Sequence, residues 1–274
     1  MEHRRLRRIL RPILVALALV AFAACESRDE ELYIEQPVED LYNLAMDSMA
    51  AEEFKKAVKQ FDEVERQHPY SVWATRAQLM SAYASYMINK YDEAIIAAER
   101  FAQLHPGHRD VAYAYYLIAI SYYEQIADVG RDQKITEQAL GALDEVIRRF
   151  PQSEYARDSR IKVELARDHL AGKEMNIGRY HLDRRLYVGA INRFRAVIEN
   201  YQTTSHVPEA LHRLTECYLA LGVTREAQTA AAVLGFNYPG SDWYVDSYAL
   251  LTGRNLAPQK DEGSWITRAF KTIF

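Results

Sequence analysis

Few residues in this 274-residue chain could do covalent or metal chemistry: eight histidines and two cysteines, Cys25 and Cys217. His105-Pro-Gly-His108 is the tightest histidine pair, but His68-Pro69 repeats its first step, so both read as a recurring turn and not as a ligand set. Cys217 sits beside Tyr218 with no Cys-x-x-Cys or His-x-x-x-His nearby. A reactive thiolate needs a cationic or metal partner, so Cys217 is expected to be a buried small hydrophobe. No Gly-rich phosphate loop, nucleophile elbow or paired-carboxylate site is recognisable, and the expectation is a non-enzyme with no metal or soluble cofactor. The abundant functional type is tyrosine, 19 in all. Tyrosine offers a large rigid face at little entropic loss, plus a hydroxyl, which suits recognition.

Cys25 has a different setting. Arg4, Arg5, Arg7, Arg8 and Arg11 precede an apolar run from Ile13 to Ala24, too short to span a bilayer and laid out as an export signal. Phe22-Ala-Ala-Cys25 at its end resembles the lipobox of bacterial lipoproteins, with Phe22 where that pattern prefers Leu. The resemblance implies cleavage after residue 24 and acylation of Cys25, whose two or three chains hold a domain at a membrane where one would not. Glu26 after the cysteine favours the outer membrane by the same resemblance. Without residues 1–24 the chain keeps 29 basic and 37 acidic residues, a net charge of −8. That charge argues against nucleic-acid binding, which needs a cationic surplus.

The elements that position the tyrosines are helices. Only 11 glycines and 8 prolines are present, too few to turn a many-stranded β fold, while 49% hydrophobic and 26% charged residues suffice for a core. One pattern recurs five times: an Ala anchor, apolar residues four and seven positions later, and a Pro at the twelfth. The anchors are Ala57, Ala94, Ala139, Ala190 and Ala227, spaced by 37, 45, 51 and 37 residues, and Gln202 replaces Pro in the fourth. Ala45, Ala82, Gly178 and Thr215 lie twelve residues before their anchors; Ala119 lies twenty before its own, so Ala127–Lys134 reads as an eight-residue insertion. The pattern resembles the tetratricopeptide repeat, and the expected fold is all-α, a right-handed superhelical solenoid of five degenerate repeats. A further helical stretch from Glu154 to about Ala171 is expected to run on into the fourth repeat.

In such repeats the first helix lines the concave face. Counting back from the anchors places Tyr42, Met46 and Met49, then Leu79, Tyr83 and Tyr86, then Tyr113, Tyr116, Ile120 and Tyr123 on that face. The same positions later give Met175, Arg179 and Leu182, then Glu209, His212, Glu216 and Leu219, without a tyrosine. Two halves with different tasks are expected, 37–151 and 152–251, after a tether at 25–36 and before a linker and amphipathic segment at 252–274.

The export signal, the five repeats, Pro37-Val-Glu-Asp-Leu-Tyr42, His68-Pro-Tyr-Ser71, and the stretch from Ala166 to Tyr180 leading into Gly189-Ala-Ile-Asn-Arg-Phe194 together resemble the BamD family of outer-membrane protein assembly factors. The resemblance implies a lipid-anchored subunit on the periplasmic face of the outer membrane. Its first half would receive the C-terminal targeting segments of unfolded β-barrel proteins on Tyr42, Tyr83, Tyr86, Tyr113, Tyr116 and Tyr123. Its second half would dock on the periplasmic domain of the BamA subunit through Arg193, among other subunits of the complex. The residues alone leave Arg193 as a solvated helix charge, and also leave open a lipoprotein of pilus or secretin assembly or a periplasmic envelope coordinator. The segment after Pro258, with Trp265, Ile266, Ala269, Phe270 and Ile273 on one helical side, reads as a linker and short amphipathic helix that docks on another subunit, lies at the lipid interface, packs on its own repeats or frays.

Overall fold

The computed structural model of the chain describes residues 35–271. The export signal, Cys25, most of its tether and Ile273 lie outside the described residues. Twelve helices occur among the described residues: α1 (Val38–Ala50), α2 (Phe54–Gln67), α3 (Val72–Met87), α4 (Tyr91–Leu104), α5 (Val111–Glu124), α6 (Lys134–Arg149), α7 (Glu154–Asp183), α8 (Tyr187–Asn200), α9 (Val207–Ala220), α10 (Thr224–Asn237), α11 (Asp242–Thr252) and α12 (Trp265–Lys271). The chain is an all-α tetratricopeptide solenoid. Each helix through α10 packs on its sequence neighbours, and first helices also meet across repeats, α1 on α3, α3 on α5, α5 on α7 and α9 on α11.

The recurring pattern explains this packing. The anchor and the residues four and seven beyond it share one face of each second helix. All fifteen of these side chains are fully buried, from Ala57, Phe61 and Val64 through Ala227, Ala231 and Leu234. The helix then stops in one geometry: His68, His105, Phe150, Tyr201 and Tyr238 have φ between −134° and −127° and donate their N–H to the carbonyl of the residue at the seventh position. A following Pro excludes helical backbone from the residue before it. Tyr201 adopts the same geometry before Gln202, so here packing imposes what Pro imposes elsewhere.

Within repeats one, two, four and five the helices are joined by a Schellman turn whose left-handed residue is Glu52, Asn89, Arg185 or Gly222. The next residue donates back five positions, as Leu186 does to His181 and Val223 to Tyr218. The third repeat replaces this turn with residues 125–133, which are held against α7: Lys173 Nζ donates to the carbonyls of Gly130 and Arg131, and His169 Nε2 lies 2.7 Å from that of Ala127. α7 is a single 30-residue helix, its first half on α5 and α6 and its second half paired with α8. Ser71 and Ser153 cap α3 and α7 by accepting the N–H of Ala74 and Ala156.

α11 ends in the same Schellman turn, with Asn255 left-handed, and so resembles the first helix of a sixth repeat. Its second helix is replaced by a strap and α12, which fold back on the protein's own fourth and fifth repeats. Trp265 Nε1 donates to the Tyr218 hydroxyl at 3.1 Å, and Ile266 and Phe270 are buried in the same cluster as Phe194 and Leu214. No described helix is long and apolar enough to cross a membrane.

Helix approach in the fourth repeat is limited by Gly178, where a Cβ would stand 2.8 Å from Cδ1 and 2.9 Å from Cζ of Phe194. Gly178→Ala is therefore expected to destabilise the fold by about 1–3 kcal/mol through overpacking, although alanine is the better helix former. Urea unfolding checks this, and Phe194→Leu in the same chain should recover part of the loss.

Candidate functional site

The first helices place the tyrosines in a row across the solenoid. Tyr83 and Tyr86 stand one turn apart on α3, and Tyr113, Tyr116 and Tyr123 on α5. The ring of Tyr83 lies 6.4 Å from Tyr113, which lies 5.5 Å from Tyr155 on α7, and Tyr155 stacks on Tyr116 at 5.1 Å. Tyr86 packs on Tyr91 at 5.6 Å, and its hydroxyl is 3.5 Å from Glu124 Oε1. Tyr42 stands apart from this row, against Phe61 at 5.7 Å and Trp73 at 4.8 Å in the first repeat's core.

Tyr155 was absent from the residues singled out by spacing. Its signal is Pro151-Gln-Ser-Glu-Tyr155-Ala, which matches Pro69-Tyr-Ser-Val-Trp73-Ala: a serine cap followed by an aromatic residue in the first turn. α7 also brings charge to the row. Asp158 Oδ2 accepts the Tyr116 hydroxyl at 2.6 Å and lies 3.1 Å from Lys162 Nζ, which sits 5.3 Å over the ring of Tyr123.

These contacts set protonation. Burial first, then Glu124, pushes the Tyr86 hydroxyl up to about 12. Burial and neighbouring rings raise Tyr113, while burial and Asp158 raise Tyr116. Burial works against the Asp158 carboxylate, yet the Tyr116 hydroxyl and Lys162 outweigh it and hold Asp158 below its usual range. The row is thus a half-buried aromatic surface with one fixed Asp–Lys pair, suited to an extended apolar-aromatic peptide.

The corresponding face of the second half is built of ion pairs. Arg179 donates to Glu209 through Nε at 2.9 Å and Nη2 at 2.6 Å, and Arg213 links Glu209 to Glu216. Beside them His212 is buried, its Nδ1 2.9 Å from Ser247 Oγ, its ring 5.2 Å from Trp243 and its Nε2 3.7 Å from Glu216. Met175, also on the predicted face, is fully buried. Arg193 lies elsewhere, exposed on α8, where its Nη1 reaches Glu174 on α7 at 3.1 Å. A polar cavity of about 350 Å³ between residues 130–133 and α7 adjoins it, with Glu174 in its wall.

The histidines and the cysteine have structural places. His105 and His108 flank Phe101, each ring 5.3 Å from it. Cys217 is buried, and that burial pushes its thiol up to about 12. Among the described residues no group of three or more His, Cys, Asp or Glu is placed to hold a metal ion.

Residues 34–234 match the model of a family described as outer membrane lipoproteins, YfiO. The chain belongs to this family. Its YfiO relatives include three named outer membrane protein assembly factor BamD. That of Caulobacter vibrioides is 51% identical over 246 residues, spanning 90% of this chain and 81% of its own length. The Rickettsia prowazekii protein is 43% identical, spanning 90% of this chain and 98% of its own, and one from Neisseria meningitidis is 34% identical, spanning 89% and 96%. The family match ends within α10, so α11 and α12 of this YfiO member lie beyond it.

Burial holds the His212 pKa below its ordinary 6.5, against the pull of Glu216, Asp246 and Glu209 and with the help of Arg213. The unfolded chain therefore binds a proton that the folded chain refuses, and stability should fall as pH drops from about 7 through about 6. His212→Gln is expected to flatten that slope in thermal midpoints measured across this range.

Proposed function

We propose that this chain is a non-enzymatic, lipid-anchored subunit on the periplasmic face of the outer membrane, which takes up targeting segments of unfolded β-barrel proteins and scaffolds the membrane-embedded BamA subunit for their insertion. The observation that carries this reading is the family match over 34–234, together with the BamD name shared by relatives matched over 81% and 98% of their own length. The tyrosine row supports the receiving role. A targeting segment rich in alternating apolar and aromatic residues would lay its side chains across Tyr83, Tyr113, Tyr116 and Tyr155, and hydroxyls other than that of Tyr116 would bond its backbone. Tyr42 would act through the first repeat's packing.

Arg193 supports the docking role. Glu174 engages only Nη1 of the half-exposed Arg193 guanidinium, so Nε and Nη2 would remain for a partner carboxylate. Acylation of Cys25 would supply the anchor.

Three variants test the parts separately. Arg193→Glu should abolish co-purification of BamA from detergent-extracted membranes while leaving the melting temperature unchanged. Replacing Tyr83, Tyr116 and Tyr123 by Ser should weaken a synthetic barrel C-terminal peptide at least about tenfold, or about 1.4 kcal/mol, by fluorescence anisotropy. Cys25→Ser should move the protein from the membrane to the soluble periplasmic fraction; retention in the membrane would remove the anchor from the reading.

A further inference from the structure

The turn between α7 and α8 carries an apolar surface that no other described residue covers. Tyr180 is 55% exposed, Leu186 53% and Val188 64%. The Arg184 guanidinium lies 3.7 Å over the Tyr180 ring, and Arg185 is exposed beside it in the left-handed position of the Schellman turn. Arg179, Arg193 and Arg195 on the same two helices each meet a carboxylate, at 2.6, 3.1 and 2.8 Å. Among the described residues Arg184 and Arg185 meet none. Tyrosine and arginine around an apolar centre are the types enriched where protein surfaces bind one another.

We propose that this turn is a docking contact for a protein segment that presents an apolar side chain flanked by carboxylates. The proposal rests on the reading of Arg193 as a docking residue and extends the same surface. Arg193 and Val188 stand five residues apart on α8, about 7.5 Å along its axis. A partner of ordinary footprint seated on Arg193 would therefore reach the turn, and the two arginines call for acid on its surface. An anionic lipid surface fits less well. Asp183 and Glu174 lie on the same helix and would be repelled by a uniform negative plane, whereas a folded partner can place its carboxylates opposite Arg184 and Arg185 alone.

The test uses the full-length lipidated chain, tagged and purified with its complex from detergent-extracted membranes. Arg184→Glu with Arg185→Glu, and separately Leu186→Ser with Val188→Ser, should each lower recovery of the membrane-embedded subunit at least tenfold, and a photo-crosslinker at position 188 should attach to it. Should the charge reversals unfold the chain, Arg184→Gln with Arg185→Asn removes the charge while keeping a residue that Asn89 shows the turn accepts; it should still lower recovery at unchanged melting temperature. Normal recovery with these variants, while Arg193→Glu breaks the complex, overturns the proposal and leaves the docking reading intact. Normal recovery with Arg193→Glu as well would mean that the docking reading itself has failed. Binding of the Cys25→Ser protein to phosphatidylglycerol vesicles that is lost on charge reversal, with the complex unaffected, would assign the turn to lipid and overturn the proposal.

Discussion

Everything in this molecule depends on how closely the two helices of each repeat can approach. The second helix presents an alanine where it meets the first, and the first answers with Ala45, Ala82, Ala119, Gly178 or Thr215. Removing side-chain bulk at that crossing lets larger residues four and seven positions on reach across the interface, where Phe61, Phe101 and Phe194 are fully buried. Gly178 shows how little room remains, since Phe194 occupies the space of the missing Cβ. Once that spacing holds, the outward faces of successive first helices form a continuous surface, and its chemistry is free to differ between repeats.

The two ends of the solenoid use that freedom differently. In the first three repeats the buried residues fall into small separate clusters, and the face above them is aromatic. From α7 onward a single cluster runs through α8, α9, α10, α11 and α12, and the face above it is knitted by Arg179, Glu209, Arg213 and Glu216. A surface whose charges already satisfy one another has little to offer an extended peptide, whereas half-buried tyrosines gain by being covered. α7 belongs to both, contributing Tyr155 and Asp158 to the row and Glu174 to the position of Arg193.

The C-terminal segment illustrates how an open solenoid end is managed. α11 starts a sixth repeat but no second helix follows, which would leave the last apolar face in water. The strap and α12 cover it, with Gln202 donating to the Ala269 carbonyl and Ser264 to Glu226. Amphipathicity alone suited α12 equally to lipid, to a partner and to its own repeats; buried Ile266 and Phe270 settle it on the last.

The sequence by itself determined the recurring anchor pattern and the helices it builds, because a period of 3.6 residues acts locally; it did not determine which residues of each first helix face outward, since Leu79, Ile120, Met175, His212 and Leu219 of the expected face are buried. The fourth turn at Tyr201, which lacks its Pro, takes the same geometry through packing. What only tertiary structure decided is which tyrosines meet. Tyr42 and Tyr116 occupy the same position in the pattern, three residues before Ala45 and Ala119, yet Tyr42 is drawn between Phe61 and Trp73, while Tyr116 stacks on Tyr155 from the first half of α7. Likewise the pairing of Arg193 with Glu174, nineteen residues away, and the exposure of Leu186 and Val188 follow from how α8 lies on α7. Periodicity assigns a residue to a face, but the neighbour it finds there is chosen by helix packing, which joins residues that no local spacing relates.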